Sequence, residues 1–239
     1  MLIDAHVHPS LFSDPAQVYR QAQAAGIMLV GMSCSLQDSR ILFRLSEQFD
    51  APACLGIHPW YAQSEQFPPE FAAFLSHPNL LGVGECGLDF QSPLPLKAQE
   101  RLLEQELDFA CGHELMVSLH VRKKHAELCA LLRRYQGRLK GMLHNFTFSR
   151  ELARSYLDLN LLLSIGSHIL KRTPKMCEVI RYVGIEHLLL ETDSDGIHSG
   201  PYQPDLLVAE YEVLAEILKL TVSKVQERLW QNFQTLKAG

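Results

Sequence analysis

Residues 80–90, LLGVGECGLDF, carry an apolar run that stops abruptly at one carboxylate, Glu85, with Gly87 and Asp89 directly behind it. Such a run reads as a buried parallel strand whose C-terminal end opens into a loop. A carboxylate at that end of a barrel strand lies where barrel active sites are assembled. Glu85 taken alone reads equally as a loop acid or a carboxylate at a helix start. The segments on either side decide between these readings.

Further apolar runs occupy residues 2–8, 27–33, 53–58, 115–120, 139–144, 160–165 and 187–193. Amphipathic or capped segments alternate with them at 14–25, 37–49, 67–76, 95–112, 123–135, 150–157, 174–183, 205–218 and 223–236. Asp14 as N-cap, Pro15 behind it and Gly26 at the far end delimit the first helix. Strand starts recur every 20 to 35 residues or so, the period of a βα unit, and eight such units close into a barrel. The expectation is an α/β protein, a single (β/α)8 TIM barrel over residues 1–239 with an extra C-terminal helix.

Composition narrows the class. The 239 residues are 47% hydrophobic and 21% charged, with a mean hydropathy of −0.02, as expected for one soluble domain of barrel size. Net charge is −5 and the pI is near 6.1, so a polyanion would have to be held by local positive charge or bound metal. Six scattered cysteines without a C-x-x-C pair read as reduced thiols of a cytoplasmic protein. MLIDAHVH lacks the basic start of a signal peptide, and no run approaches the roughly 18 apolar residues of a membrane span.

The chemistry collects at strand ends. The first strand ends on His6 and His8, the fourth on Glu85, the fifth on His120, the sixth on His144 and the eighth on Asp193. Each alone reads as an ordinary polar rim residue, but a closed barrel would bring all six to one mouth. Four histidines and two carboxylates suffice for two divalent ions bridged by Glu85, with magnesium, manganese and zinc all open. Such an ion pair suits hydrolytic displacement, in which Asp193 can also accept a proton.

His6-x-His8, Gly56-Ile57-His58-Pro59, Gly84-Glu85-x-Gly87-Leu88-Asp89, His120-x-Arg122, His144-x-Phe146 and Glu191-Thr192-Asp193 together resemble the TatD-type deoxyribonucleases, metal-dependent TIM-barrel hydrolases of the amidohydrolase-like group. The resemblance runs from Met1 to about Phe233. It implies a divalent-metal 3′–5′ exonuclease acting on DNA ends, with two ions. By that resemblance His6, His8, Glu85 and Asp193 hold one ion, and Glu85, His120 and His144 the other. The same resemblance implies that His58 and Arg122 face the scissile phosphate. The chain departs from the family's usual pattern after His144, in Asn145-Phe146-Thr147-Phe148-Ser149, and after Asp193, in Ser194-Asp195-Gly196 and residues 198–204. The metal positions are kept, while parts of the substrate rim differ.

Trp60 and Tyr61 read as cover for the barrel rim, with base stacking as the alternative. Lys123 and Lys124 read as a solvated helix start. Asp89 reads as a structural residue of the loop, and Cys86 alternates away from Glu85. Two other functions compete with the nuclease: hydrolysis of a small cyclic amide, lactone or phosphoester at the same centre, and a degenerate barrel that binds without turnover. Glu85, where related amidohydrolases often carry a carboxylated lysine, favours the TatD-like branch.

Overall fold

In a computed structural model that describes residues 1–237, eight strands among the described residues form one parallel sheet in the order β1 to β8. They are β1 (Leu2–Val7), β2 (Ile27–Met32), β3 (Ala53–Leu55), β4 (Leu80–Asp89), β5 (Met116–Arg122), β6 (Gly141–Leu143), β7 (Leu161–Ile165) and β8 (Leu188–Leu190). Helices α1 (Pro15–Ala24), α2 (Leu36–Phe49), α3 (Leu96–Gly112), α4 (His125–Leu132), α5 (Arg150–Leu157), α6 (Pro174–Val183), α7 (Pro204–Leu218) and α8 (Val222–Lys237) lie between and after them. Asp14 caps α1 by accepting from the Gln17 N–H, with Pro15 at the first helical position. Between β3 and β4 the expected helix is only a 3-10 segment, Pro69–Phe74. Its entry through Pro68-Pro69 removes two donors, and so short a piece favours the tighter winding. No helix among the described residues is long and apolar enough to cross a membrane.

Ile3, Ala5, Val30, Met32, Cys54, Leu81, Met116, Met142 and Leu189 fill the barrel interior, and Phe233 and Leu236 of α8 pack onto them. A larger cluster, including Leu103, Leu107, Val117, Leu143, Ile180 and Leu214, occupies the layer between sheet and helices. The barrel closes past β8, where Asp193 N donates to His6 O (3.0 Å) and His8 N donates to Ser194 O (2.9 Å). Buried Asp4 strengthens this seam by accepting from Thr192 N (2.9 Å), Thr192 Oγ1 (2.7 Å) and Tyr202 OH (3.2 Å).

Two irregularities in the ladder position the site. Ile3 and Ala5 face the interior, whereas Val7 belongs to the outer layer. Strict alternation would therefore turn His6 outward, but the register shifts between Asp4 and Val7. A second shift falls between Val83 and Cys86, around Glu85. Bulges re-aim side chains in this way. Strand β4 also continues four residues beyond Glu85, to Asp89. Gly87 permits that extension: its φ is +154°, and an added Cβ would lie 2.0 Å from the His120 carbonyl oxygen.

Candidate metal centre

All six residues expected at the mouth converge on one point, and Glu85 is its middle. Glu85 Oε2 lies 3.3 Å from His6 Nε2 and 3.1 Å from His8 Nε2. Asp193 Oδ1 stands 3.8 and 3.9 Å from the same two nitrogens. Glu85 Oε1 lies 2.7 Å from His120 Nδ1 and 2.8 Å from His144 Nε2. The carboxylate therefore presents one oxygen to each of two nitrogen sets. Donors bound about 2.0–2.2 Å from one ion stand about 3 Å from each other, so the donor set fits divalent cations. Imidazole and carboxylate together suit zinc, manganese or iron.

The rear nitrogen of each histidine is held as well. His6 Nδ1 meets Ser118 Oγ (3.0 Å), and His8 Nδ1 meets Cys34 Sγ (3.5 Å). His120 Nε2 donates to Asp89 Oδ2 (2.7 Å), and His144 Nδ1 donates to Glu191 Oε1 (3.3 Å). Carboxylates behind metal-facing histidines fix the tautomer and ring orientation and raise ligand basicity. Burial alone would push the Glu85 carboxyl up, but His58, His144 and His6 around it hold it well below the usual carboxylate range. A buried negative charge thus stands ready, ringed by nitrogen donors.

His58 joins this cluster, with Nε2 3.4 Å from Glu85 Oε1. Its Nδ1 accepts the Trp60 N–H at 3.1 Å. A neutral imidazole that accepts at Nδ1 carries its proton on Nε2, and burial lowers the His58 pKa. His58 therefore aims an N–H, rather than a lone pair, into the site. The supporting Ile57 N–H is fixed by Glu106 Oε1 of α3 at 2.8 Å.

Arg122 lies elsewhere than at the centre. Its side chain is exposed, donates to Gln91 Oε1 at 2.7 Å, and does not line the cavity above Glu85. That cavity measures about 380 Å³, and His8, Cys34, His58, Asn145, Asp193 and His198 are among its walls. Trp60 and Tyr61 also line it. Asp193 and Asn145 adopt left-handed backbone conformations, φ 52° and 47°. Asn145 Nδ2 donates to Asp193 Oδ2 at 2.9 Å and fixes its carboxylate.

Several residues here were not picked out from the sequence. Asn145 and Cys34 carry no motif. Glu191 was quoted only beside Asp193. Asp195 accepts from the N–H groups of Ile197, His198 and Ser199 and from His198 Nδ1 (2.6 Å). That turn sets His198 on the cavity rim, its ring 6.4 Å from Trp60. The Asp-Gly-x-His spacing was the available signal. Cys86 does point away from the centre, its Sγ 3.7 Å from Ser118 O.

The sequence model of TatD-related DNases matches residues 3–237. The chain belongs to the TatD-related DNase family. It is 28% identical over 250 residues to a protein of Escherichia coli K12 called the uncharacterized metal-dependent hydrolase YjjV, covering 98% of this chain and 96% of that protein. The crystal structure of YjjV, a TatD homolog, superposes with a TM-score of 0.87 at 25% identity, over 100% of this chain and 98% of the other. The 3′-5′ ssDNA/RNA exonuclease TatD of Edwardsiella piscicida is 32% identical over 200 residues, covering 80% of this chain and 77% of that protein. The TatD-family chain is a metal-dependent hydrolase, and the spacing of its donor cluster fits a cation.

Proposed function

We propose that this protein is a phosphodiesterase that removes nucleotides from the 3′ ends of DNA, using two divalent cations bridged by Glu85. The observation that carries the reading is the division of Glu85, with Oε2 turned to His6 and His8 and Oε1 to His120 and His144. Asp193 completes the first donor set. When bound, the cations supply positive charge to the phosphodiester and lower the pKa of water near neutrality.

The side chains do the rest. In the displacement a water oxygen bonds to phosphorus and the P–O3′ bond breaks, the departing O3′ taking a proton from solvent water to leave as a hydroxyl. Asp193 is the most open of the proposed ligands, its side chain 29% exposed against 3% for Glu85. Its Oδ1 is the base that takes the proton of the incoming water. Asn145 holds the other carboxylate oxygen and so keeps Oδ1 turned inward. His58 Nε2–H donates to a phosphoryl oxygen, where negative charge gathers in the transition state. Glu85 and the histidines around it are buried, which strengthens these interactions.

The test is metal-loaded protein with end-labelled single-stranded DNA and Mg²⁺ or Mn²⁺, beside Glu85→Ala. A stepwise ladder, lost on chelation and in the variant, is the expected result. Intact DNA from metal-loaded protein overturns the DNA reading and directs the search to small cyclic amides, lactones and phosphoesters.

A further inference from the structure

We infer that Trp60, Arg122, Phe90 and Lys123 form a track that binds single-stranded nucleic acid leaving the pocket, an inference that rests on the phosphodiesterase reading above. Four observations carry it. Trp60 forms part of the cavity wall and is 39% exposed, while Phe90, outside the cavity, is 42% exposed. The Arg122 guanidinium lies between them, 5.7 Å from the Trp60 ring centre and 5.4 Å from that of Phe90. Lys123 Nζ continues the row, 4.2 Å from the Phe90 ring. Lys123 also holds a left-handed backbone, φ 56°, which a side chain adopts at a steric cost.

Aromatic faces alternating with cations are what a flexible single strand recognises, since bases stack on rings while phosphates meet the cations. A duplex keeps its bases stacked on each other and cannot use the rings. The net charge of −5 gives the remaining surface no general attraction for a polyanion. Two cations placed beside exposed rings at the mouth are therefore a local exception. The Arg122 side chain is steered by Gln91, to which it donates at 2.7 Å. The rest of its fork remains available to a phosphate. Trp60 is fixed in turn, because Nε1 donates to Asp89 Oδ2 at 2.9 Å. The row is thus fixed where it meets the pocket.

The test compares a dinucleotide with an oligonucleotide of about eight nucleotides, both phosphorothioate-linked, by anisotropy on manganese-loaded protein. Wild type is expected to bind the longer strand about tenfold or more tightly. In Phe90→Ala/Lys123→Ala that advantage falls to about twofold. Lys123→Ala alone lowers the slope of log affinity against log salt by about 0.7. Trp60 emission should also be quenched by the longer strand, with its other tryptophan, Trp230, lying in α8. Equal affinity for both lengths, or an advantage that survives in the double variant, overturns the track. Hydrolysis of an unmodified dinucleotide, followed in parallel, separates the two readings. If it proceeds, the phosphodiesterase stands and only the track falls. If nothing is bound or cleaved at either length, both fall.

Discussion

Asp89 shows how much one residue behind a proposed ligand can hold. Its Oδ2 accepts from His120 Nε2 and Trp60 Nε1, and its Oδ1 accepts from Gln91 N at 2.7 Å. Burial would raise its pKa, but the His120 hydrogen bond lowers it, so Asp89 stands charged behind the imidazole. Asp89→Asn keeps the shape and removes the charge that makes His120 Nδ1 a strong donor. Metal affinity should fall about 10- to 100-fold. Calorimetric titration with Mn²⁺ reads this directly, and an unchanged affinity would show Asp89 to be a loop residue only. The sequence reading had assigned it to the loop alone. A carboxylate four residues beyond Glu85 gives no sign that β4 continues and turns it onto β5. His6, His8 and Glu85 were legible because each sits on a short apolar run.

Among elements, α3 and α7 do more than cover the sheet. From α3, Gln99 Oε1 accepts the Asp89 N–H (2.9 Å), Gln105 Oε1 the Phe67 N–H (3.2 Å) and Glu106 Oε1 the Ile57 N–H (2.8 Å). One helix thus fixes the loop after β3 and the end of β4. These polar positions interrupt the apolar stripe that identifies α3, so periodicity locates the helix and is silent on what its polar side chains hold.

Helix α7 carries Glu210, fully buried, with neither carboxyl oxygen partnered among the described residues. Burial, with Asp4 and Glu191 nearby, pushes its carboxyl up to about 10. A carboxyl whose pKa is raised by folding binds its proton more tightly in the folded state. Its contribution is therefore fully present below the unfolded value near 4.3 and is lost as pH rises toward the folded one. Glu210→Gln removes that loss. The variant should match wild type near pH 4 and melt progressively higher than wild type between pH 5 and pH 9, with each kcal/mol worth about 2–4 °C. A melting difference independent of pH would refute the assignment.

At the scale of the molecule, the barrel gathers two carboxylates and five imidazoles at one point, drawn from strands or strand ends up to 187 residues apart in the chain. An ion that binds this arrangement and not the unfolded chain stabilises the fold by mass action. At a free concentration about 100 times Kd the gain is about 2.7 kcal/mol, or about 5–10 °C in Tm for a chain of this size. Adding Mn²⁺ or Zn²⁺ to chelator-stripped protein should produce that rise, and chelator should reverse it. A Tm indifferent to every divalent cation would contradict a proposed metal centre built from these residues.

The sequence by itself determined the alternation of eight apolar runs with helices, and hence the barrel. It also named the six side chains that meet at the mouth, because burial and strand ends leave a local mark in the pattern of residues. The bulges that turn His6 and Glu85 inward and the partners behind the histidines were decided by the tertiary structure alone. So was the placing of Arg122 beside Trp60 and Phe90. Those features arise from contacts between segments far apart in the chain, where register and hydrogen-bond pairing depend on closure of the barrel, and no local periodicity encodes them.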